Sequence, residues 1–201
     1  WVYTKTRTVF LGADSSVKLS FELDKVATEK RKQRKQRLKK ENSEKYVDNG
    51  DGTVTDKTTG LMWKKCSEGQ NGNNCTGTAK TYKWQAALDH AKTVNFAGHS
   101  DWRLPTIKEL HSLVFCSNGK VRKFKDNDRD SDSCRSKAKG NYESPTINQI
   151  SFPNTPASIF WSSSPHSSKS NYALIVYFDY GYDGVSNHNG SNRLRLVRSG
   201  Q

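Results

Sequence analysis

Four cysteines have the spacing that most clearly predicts chemistry. They form two local pairs, Cys66 with Cys75 and Cys116 with Cys134, and each pair encloses a polar segment without a core-forming pattern. Such pairs are typical of disulfide bonds, which persist in oxidising compartments. A zinc site is the alternative, although the chain has no CxxC spacing and no histidine beside these cysteines. We therefore predict two disulfide bonds that close two loops, and an exported protein.

The second cysteine loop has carboxylates at alternate positions, an arrangement that holds calcium in EF-hand loops. The candidate ligands are Asp126, Asp128 and Asp130. The glycine expected at the sixth position of such a loop is Ser131, however, and the glutamate expected at the twelfth is Lys137. The sequence leaves two interpretations open: a calcium site, or a solvated loop whose carboxylates are neutralised by neighbouring lysines and arginines. No other cofactor is predicted.

Residues 170–200 have an unusual composition. The segment lacks Lys, Glu, Gln, Met and Trp, which are the residues that codons ending in a pyrimidine cannot specify. Tyr and His beside Ser, Gly and Asn combine rigid contact area with adaptable hydrogen bonding, as antibody paratopes do. The alternative is an edge hairpin of biased composition. We predict that this segment contacts a ligand through Tyr177, Asp179, Tyr180, Tyr182, Asn187, His188, Asn189 and Asn192.

Sequence motifs for catalysis are absent. Residues 162–164 are three serines without the glycine flanks of a nucleophile elbow. No HExxH pairing occurs among the histidines, which are His90, His99, His111, His166 and His188. We therefore predict a binding protein rather than an enzyme.

The first 45 residues are predicted to form two segments outside the main domain. In residues 1–24, apolar residues alternate around Val9 and again over residues 17–23, which predicts a short β-hairpin. Residues 25–45 hold ten Lys or Arg against three Glu, about half of the formal net charge of +13, and have no apolar stripe. This pattern predicts a basic helical linker. The alternative is contact with a polyanion or an anionic membrane surface.

The sequence also argues against single-stranded nucleic acid as a partner and against a membrane-spanning segment. No aromatic residues are interleaved with the basic run, which argues against stacking on single-stranded nucleic acid. No apolar run approaches the roughly 20 residues that cross a bilayer. The chain begins at Trp1 without a signal sequence, so we expect any export signal or membrane anchor to lie upstream.

Residues 46–201 contain the elements that position the candidate residues. Turn residues at 49–52 introduce a hairpin over residues 53–63, and Trp84 begins an amphipathic helix. Thr106 and Glu109 form a capping box that starts a second helix, with Ile107, Leu110 and Val114 on one face. Later strands are predicted around residues 160–161, 172–178 and 193–198.

These pieces, in this order, resemble the C-terminal domain family of the Legionella collagen-like adhesin, a group of C-type-lectin-like domains. The resemblance is carried by residues 101–110, 46–56, 59–63, 152–155, 160–164 and 195–198. It implies an α+β, C-type-lectin-like fold in which two helices flank twisted antiparallel sheets. The predicted organisation is a hairpin at 1–24, a linker at 25–45 and a ligand-binding domain at 46–201.

The resemblance also bears on function. Formylglycine-generating enzymes are distant relatives, but their late cysteine pair is missing, since no cysteine follows Cys134. The EPN or QPD and WND triplets of calcium-dependent sugar-binding lectins are absent as well. The tail composition is similar to that of proteins varied by diversity-generating retroelements. We predict a variable surface or secreted protein that binds a protein or glycan on another cell or host. The alternative is an adhesin that binds sulfated polysaccharide through a basic face.

Overall fold

The computed structural model describes residues 13–120, 133–135 and 141–200. The chain divides into two compact units, Trp1–Arg37 and Leu38–Gln201. Within the described residues the architecture is α+β, with few helices and two sheets. This is consistent with the C-type-lectin-like fold that the resemblance implies.

The first unit contains most of helix α1 (Ala13–Ser43). The strand predicted over residues 17–23 is wrong, because these residues are helical. An isolated hairpin has only marginal stability in water. The run of helix formers after residue 24 favours a helix that extends towards the N-terminus through residues 17–23. Leu23 and Val26 remain exposed in this helix. The first predicted strand, around Val9, lies outside the described residues.

The described residues of the second unit form two further helices and nine strands. The helices are α2 (Trp84–Thr93) and α3 (Ile107–His111). The strands are β1 (Tyr46–Asp48), β2 (Thr53–Asp56), β3 (Leu61–Lys64), β4 (Thr81–Tyr82), β5 (Ile159–Pro165), β6 (Tyr172–Tyr177), β7 (Tyr182–Asn187), β8 (Asn192–Arg193) and β9 (Val197–Ser199).

The first sheet is antiparallel, with strand order β1-β2-β3-β9. Its β2–β3 hairpin confirms the prediction for residues 53–63. The turn before β2 depends on Gly52, which has a φ of +87° and faces the Phe96 ring. A Cβ atom at Gly52 would lie 2.7 Å from that ring, so a side chain here conflicts with both the backbone conformation and the space available.

The second sheet has strand order β4-β8-β5-β6-β7. β6 and β7 pair along their full length, from Tyr172 opposite Asn187 to Tyr177 opposite Tyr182. Successive residues of a strand point to opposite faces, and β6 supplies both faces of the sheet. Val176 belongs to one buried cluster, which includes Phe160 and Phe178. Ile175 belongs to the other, which includes Trp161 and Trp102.

The predicted helices are present, but α3 is short. Its capping box is confirmed: the Glu109 amide donates to Thr106 Oγ1 at 3.3 Å, and the Thr106 amide donates to Glu109 Oε2 at 2.7 Å. Ile107 and Leu110 are buried. Val114 lies beyond the end of the helix and forms an isolated bridge with Ile147 instead of extending the helical face.

Residues 193–198 do not form the single strand that was predicted. β8 belongs to the second sheet and β9 to the first. The residues between them, Leu194, Arg195 and Leu196, are fully buried. The chain passes from one sheet to the other at this point. The alternation of apolar and polar residues does not reveal this crossing, because the apolar residues of the connecting segment also fit the pattern of a strand.

Both predicted disulfide bonds are present. Cys66 pairs with Cys75 across a Cα–Cα distance of 5.0 Å, and Cys116 pairs with Cys134 across 5.3 Å. These separations are normal for disulfide bonds. The zinc interpretation is therefore wrong, because all four thiols are used in these two bonds.

Candidate functional site

Three tyrosines gather at the turn that joins β6 to β7. The rings of Tyr177 and Tyr182 stack with centroids 4.3 Å apart and an interplanar angle of 4°. Their register as a direct cross-strand pair places both rings on one face of the sheet. Tyr180, in the turn, has its ring centroid 6.2 Å from that of Tyr182. We call these three residues the tyrosine platform; each is half-buried.

Two charged residues lie beside the tyrosine platform. The Arg135 guanidinium lies over the Tyr180 ring, 4.3 Å from its centroid, which is a cation–π contact. Asp179 accepts a hydrogen bond from the Tyr180 amide at 3.0 Å through Oδ1. Aromatic faces are thus presented together with one positive and one negative group.

Close contacts hold this turn in place. The Cys134 amide donates to the Tyr180 carbonyl at 2.8 Å, so the second disulfide is joined directly to the turn. A Cβ atom at Gly181 would lie 2.6 Å from Cys134 Sγ, and Gly181 has a φ of +70°. On the adjoining strand, Asp183 forms a hydrogen bond of 2.7 Å with Nδ1 of His111 in α3. The tyrosine platform therefore rests on a rigid backbone.

Removal of the Cys116–Cys134 disulfide is expected to loosen the tyrosine platform. We expect the double replacement by serine to lower the free energy of unfolding by about 3 kcal/mol, because the bond closes a loop in the unfolded chain. Hydrogen exchange at the Gly181 amide should accelerate, since this amide lies beside the released turn.

The matched control is the double serine variant of Cys66 and Cys75, which bracket a separate loop. It should lose a comparable amount of stability, about 2–3 kcal/mol, while exchange at Gly181 stays slow under native conditions. Equal protection of Gly181 in the two variants would contradict the connection between the second disulfide and the turn.

The ionisation of Tyr182 reflects its surroundings. Burial raises the pKa of Tyr182 from 10.0 to about 12, with further contributions from a side-chain hydrogen bond to Tyr177 and from nearby negative charge. The neutral phenol is therefore favoured by folding. A raised folded-state pKa gives stability that is present below pH 10 and is lost as the pH rises towards 12.

We expect Tyr182→Phe to reduce this loss of stability at high pH. Wild type should lose more free energy of unfolding between pH 10 and pH 12 than Tyr182→Phe does. Denaturant titrations at several pH values measure the difference. Identical pH slopes for the two proteins would show that Tyr182 titrates alike in the folded and unfolded chains.

The other predicted contact residues lie at the opposite end of β7. The His188 ring stacks on Trp84, with centroids 4.1 Å apart, and the His188 carbonyl accepts a hydrogen bond from the Trp84 amide at 3.0 Å. Asn192 is buried and donates to Ser186 Oγ at 3.0 Å. These two residues hold the end of the hairpin in place.

Asn187 and Asn189 complete this second group. Asn187 Oδ1 accepts a hydrogen bond from the Asn189 amide at 3.0 Å, and Asn189 is exposed. The eight predicted residues therefore form two groups, one at each end of β7, which is about 17 Å long. The structure brings Tyr177, Tyr180 and Tyr182 together, with Asp179 in the same turn.

Arg135 was not predicted from the sequence as a site residue. Arg135 follows Cys134 directly. The spacing of the cysteines predicts the disulfide bond, but it does not predict the contact between Cys134 and Tyr180. The contact between Cys134 and the Tyr180 carbonyl, which only the fold reveals, places the guanidinium of the next residue over the ring.

The predicted calcium ligands Asp126, Asp128 and Asp130 lie outside the described residues, so the calcium site stays a prediction. Elsewhere, in residues 13–120, 133–135 and 141–200, no group of three or more His, Cys, Asp or Glu side chains is placed to hold a metal ion. Across the same residues, no helix has the length and apolar content needed to cross a membrane.

The protein-family model described as the Lcl C-terminal domain matches residues 52–198. The matched region includes β2 to β8, both disulfides and the tyrosine platform. The search of curated proteins found no match to this sequence.

Proposed function

The chain belongs to the Lcl C-terminal domain family, and we propose that it is a non-enzymatic, surface-displayed binding domain that contacts its ligand through the tyrosine platform. The observation that carries this proposal is the stacked pair of Tyr177 and Tyr182 beside Tyr180, half-exposed on a rigid turn. The two disulfides support an exported location, since such bonds persist in oxidising compartments.

The tyrosine platform has the physical properties of a binding surface. Tyrosine supplies large contact area at low cost in conformational entropy, and its hydroxyl keeps a polar group available. Stacking of Tyr177 on Tyr182 orients both rings before a ligand arrives, which reduces the entropy lost on binding. Arg135 and Asp179 add charges at the rim. The proposed ligand is a protein or glycan on another cell or host.

We further propose that the tail is varied by a diversity-generating retroelement. The support is that residues 170–200 contain both buried core residues and half-exposed residues. Phe178, Leu194 and Leu196 are fully buried, whereas Tyr180 and Tyr182 between them are half-exposed. Substitution at the half-exposed positions leaves the core packing unchanged, so this scaffold tolerates many surfaces.

The DNA beside the gene tests the proposed diversification. We expect a near-copy of the codons for residues 170–200, close to a reverse-transcriptase gene. Adenines should occupy the first two positions of the codons for Tyr180 and Tyr182 in that copy. Such adenines should be absent from the codons for Phe178 and Gly181. Phe178 is buried in the core, and a Cβ atom at Gly181 would clash with Cys134. Absence of the copy would exclude diversification and leave an invariant binding domain.

A second candidate function is binding of sulfated polysaccharide. The observation that favours it is the exposure of basic side chains along α1, which include Lys30, Arg31, Lys32 and Arg34. Polyanion binding through such residues weakens steeply as salt concentration rises. Heparin affinity measured at several salt concentrations tests it, with Glu substituted at Arg31, Lys32 and Arg34. Unchanged affinity in that variant would exclude the helix as the polyanion site.

A further inference from the structure

Strand β7 ends the second sheet, and among the described residues it has one strand neighbour, β6. The other three strands at sheet edges, β1, β4 and β9, have two or three residues each, whereas β7 has six. We propose that β7 is a docking edge, to which an extended segment of a partner protein adds as a further strand. The inference rests on the proposed function, because such a segment lies next to the tyrosine platform.

The hydrogen bonds of the β6–β7 pair show which backbone groups point away from the sheet. The His188 amide donates to the Asn171 carbonyl at 2.8 Å, in the same register as the rest of the pair. Directly opposed residues of an antiparallel pair alternate between bonded and unbonded pairs. By this alternation, the backbone groups of Val185 and Asn187 point away from β6.

These outward groups are available for pairing with another strand. The Asn187 carbonyl accepts a hydrogen bond from the Gly190 amide at 2.8 Å. The Asn187 amide and both backbone groups of Val185 have no hydrogen-bond partner within residues 13–120, 133–135 and 141–200. Outward groups of alternate residues are about 7 Å apart. A protein segment in extended conformation presents N–H and C=O groups at this repeat, and a glycan does not.

The sequence of β7 lacks the features that protect edge strands. Native proteins shorten such strands, or place lysine, proline or a bulge in them. The chain has 33 Lys or Arg, yet β7 contains neither, and it contains no proline. Its register with β6 runs without a shift over six residues. Val185, at the middle of this edge, is 38% exposed. An edge of this kind is expected to be covered by a partner strand.

The side chains on the two faces of this edge define the segment that fits. On one face, Val185 is opposite the half-buried Leu174, so an apolar residue of the segment fits beside them. On the other face, a Cβ atom at Gly184 would lie 2.7 Å from the Tyr177 ring. That ring therefore covers the Gly184 backbone, and Tyr182 continues the aromatic surface. Main-chain pairing supplies affinity in strand addition, while side-chain contacts supply specificity.

The length of β7 also favours an extended occupant. The predicted contact residues lie at both ends of this strand, with the tyrosine platform at one end and the exposed Asn189 beyond the other. A segment of six extended residues has the same length as β7, about 17 Å. One such segment therefore reaches both groups.

A selected peptide provides the probe that tests this assignment. Random heptapeptides are selected on the full chain, and the best binder is synthesised with each of its amides methylated in turn. Strand addition predicts an alternating result. Methylation of every second amide should weaken binding roughly 10-fold or more, because it removes a hydrogen bond and adds a clash, and the amides between them should tolerate it. A peptide that binds through side chains alone shows no such alternation.

Val185→Pro tests the same contact from the protein side. Proline removes an outward amide but no hydrogen bond to β6, so we expect cooperative unfolding to persist and peptide binding to weaken roughly 10-fold or more. The matched control is Val185→Thr, which keeps the amide and should bind within about 3-fold of wild type.

Three results would overturn the docking edge: selection yields no binding peptide, methylation of successive amides has equal effects, or Val185→Pro binds like wild type. A dimer in sedimentation that Val185→Pro abolishes would also overturn it, by assigning the edge to a second copy of this chain. Failure of the proposed function gives a different result. Joint replacement of Tyr177 and Tyr182 by alanine would then leave peptide binding unchanged, with the alternation intact.

Discussion

Replacement of Arg195 by alanine is expected to lower the free energy of unfolding by about 3–5 kcal/mol. The residue is fully buried and lies in the segment that joins β8 to β9. Its Nη1 donates to the carbonyls of Lys64 and Lys65, at 3.0 and 2.7 Å, and so holds the end of β3. Its Nη2 donates to Thr155 Oγ1 at 2.6 Å.

Two effects of opposite sign determine the size of this loss. Burial lowers the pKa of Arg195 to about 9, because desolvation disfavours the charged guanidinium. Its removal therefore relieves a desolvation cost. Alanine, however, deprives the Lys64 and Lys65 carbonyls of a charged donor and leaves a cavity beside the Phe152 ring, 4.8 Å from the guanidinium carbon. We expect the lost hydrogen bonds and the cavity to dominate, as for most disrupted buried charge networks.

Arg195→Lys distinguishes the hydrogen-bonding geometry from the charge. Lysine keeps the charge but has no planar fork that reaches the β3 carbonyls and Thr155 together, so we expect most of the loss to remain. Arg31→Ala, at an exposed arginine of α1, is the matched control and should change stability by less than about 0.5 kcal/mol. Chemical denaturation measures all three. Wild-type stability in Arg195→Ala would show that the hydrogen bonds of the guanidinium to Lys64, Lys65 and Thr155 do not stabilise the fold.

Replacement of Tyr177 and Tyr182 together by alanine is expected to weaken ligand binding by roughly 30-fold or more. The stacked pair supplies the largest aromatic area of the tyrosine platform, and each ring holds the other in position. Binding energy in interfaces is concentrated in such aromatic anchors. An array of glycans and extracellular proteins first identifies a ligand for the wild-type chain, and titration then gives the dissociation constants.

Tyr172→Ala is the matched control for this prediction. Tyr172 lies at the other end of β6, opposite Asn187, and contacts Lys169 rather than the tyrosine platform. We expect its affinity to remain within about 3-fold of wild type, provided that both variants unfold cooperatively. Equal losses in the control and the double variant would indicate a general effect on the sheet instead of a contact surface.

Much of the second unit was predictable because its signals are local. The capping box at Thr106 and Glu109, the β2–β3 hairpin and the cysteine pairs each depend on residues close in sequence. The strand predicted over residues 17–23 failed for a related reason. The helix formers that follow these residues determined their conformation in place of their period-two pattern.

The candidate site was less predictable, because it depends on contacts between distant segments. Composition identified the tail, and the tyrosines were among the predicted contact residues. Nothing in the sequence distinguished Tyr182, which stacks at the turn, from His188, which packs on Trp84. The position of Arg135 over Tyr180 also required the fold.

Hydrogen exchange of the whole chain, with and without the ligand that the array identifies, tests the central claim most directly. We expect ligand to slow exchange in residues 177–182, while residues 53–64 of the first sheet and residues 25–37 of α1 exchange as before. Protection confined to the first sheet or to the basic helix, with residues 177–182 unchanged, would contradict the assignment of the tyrosine platform as the principal binding surface.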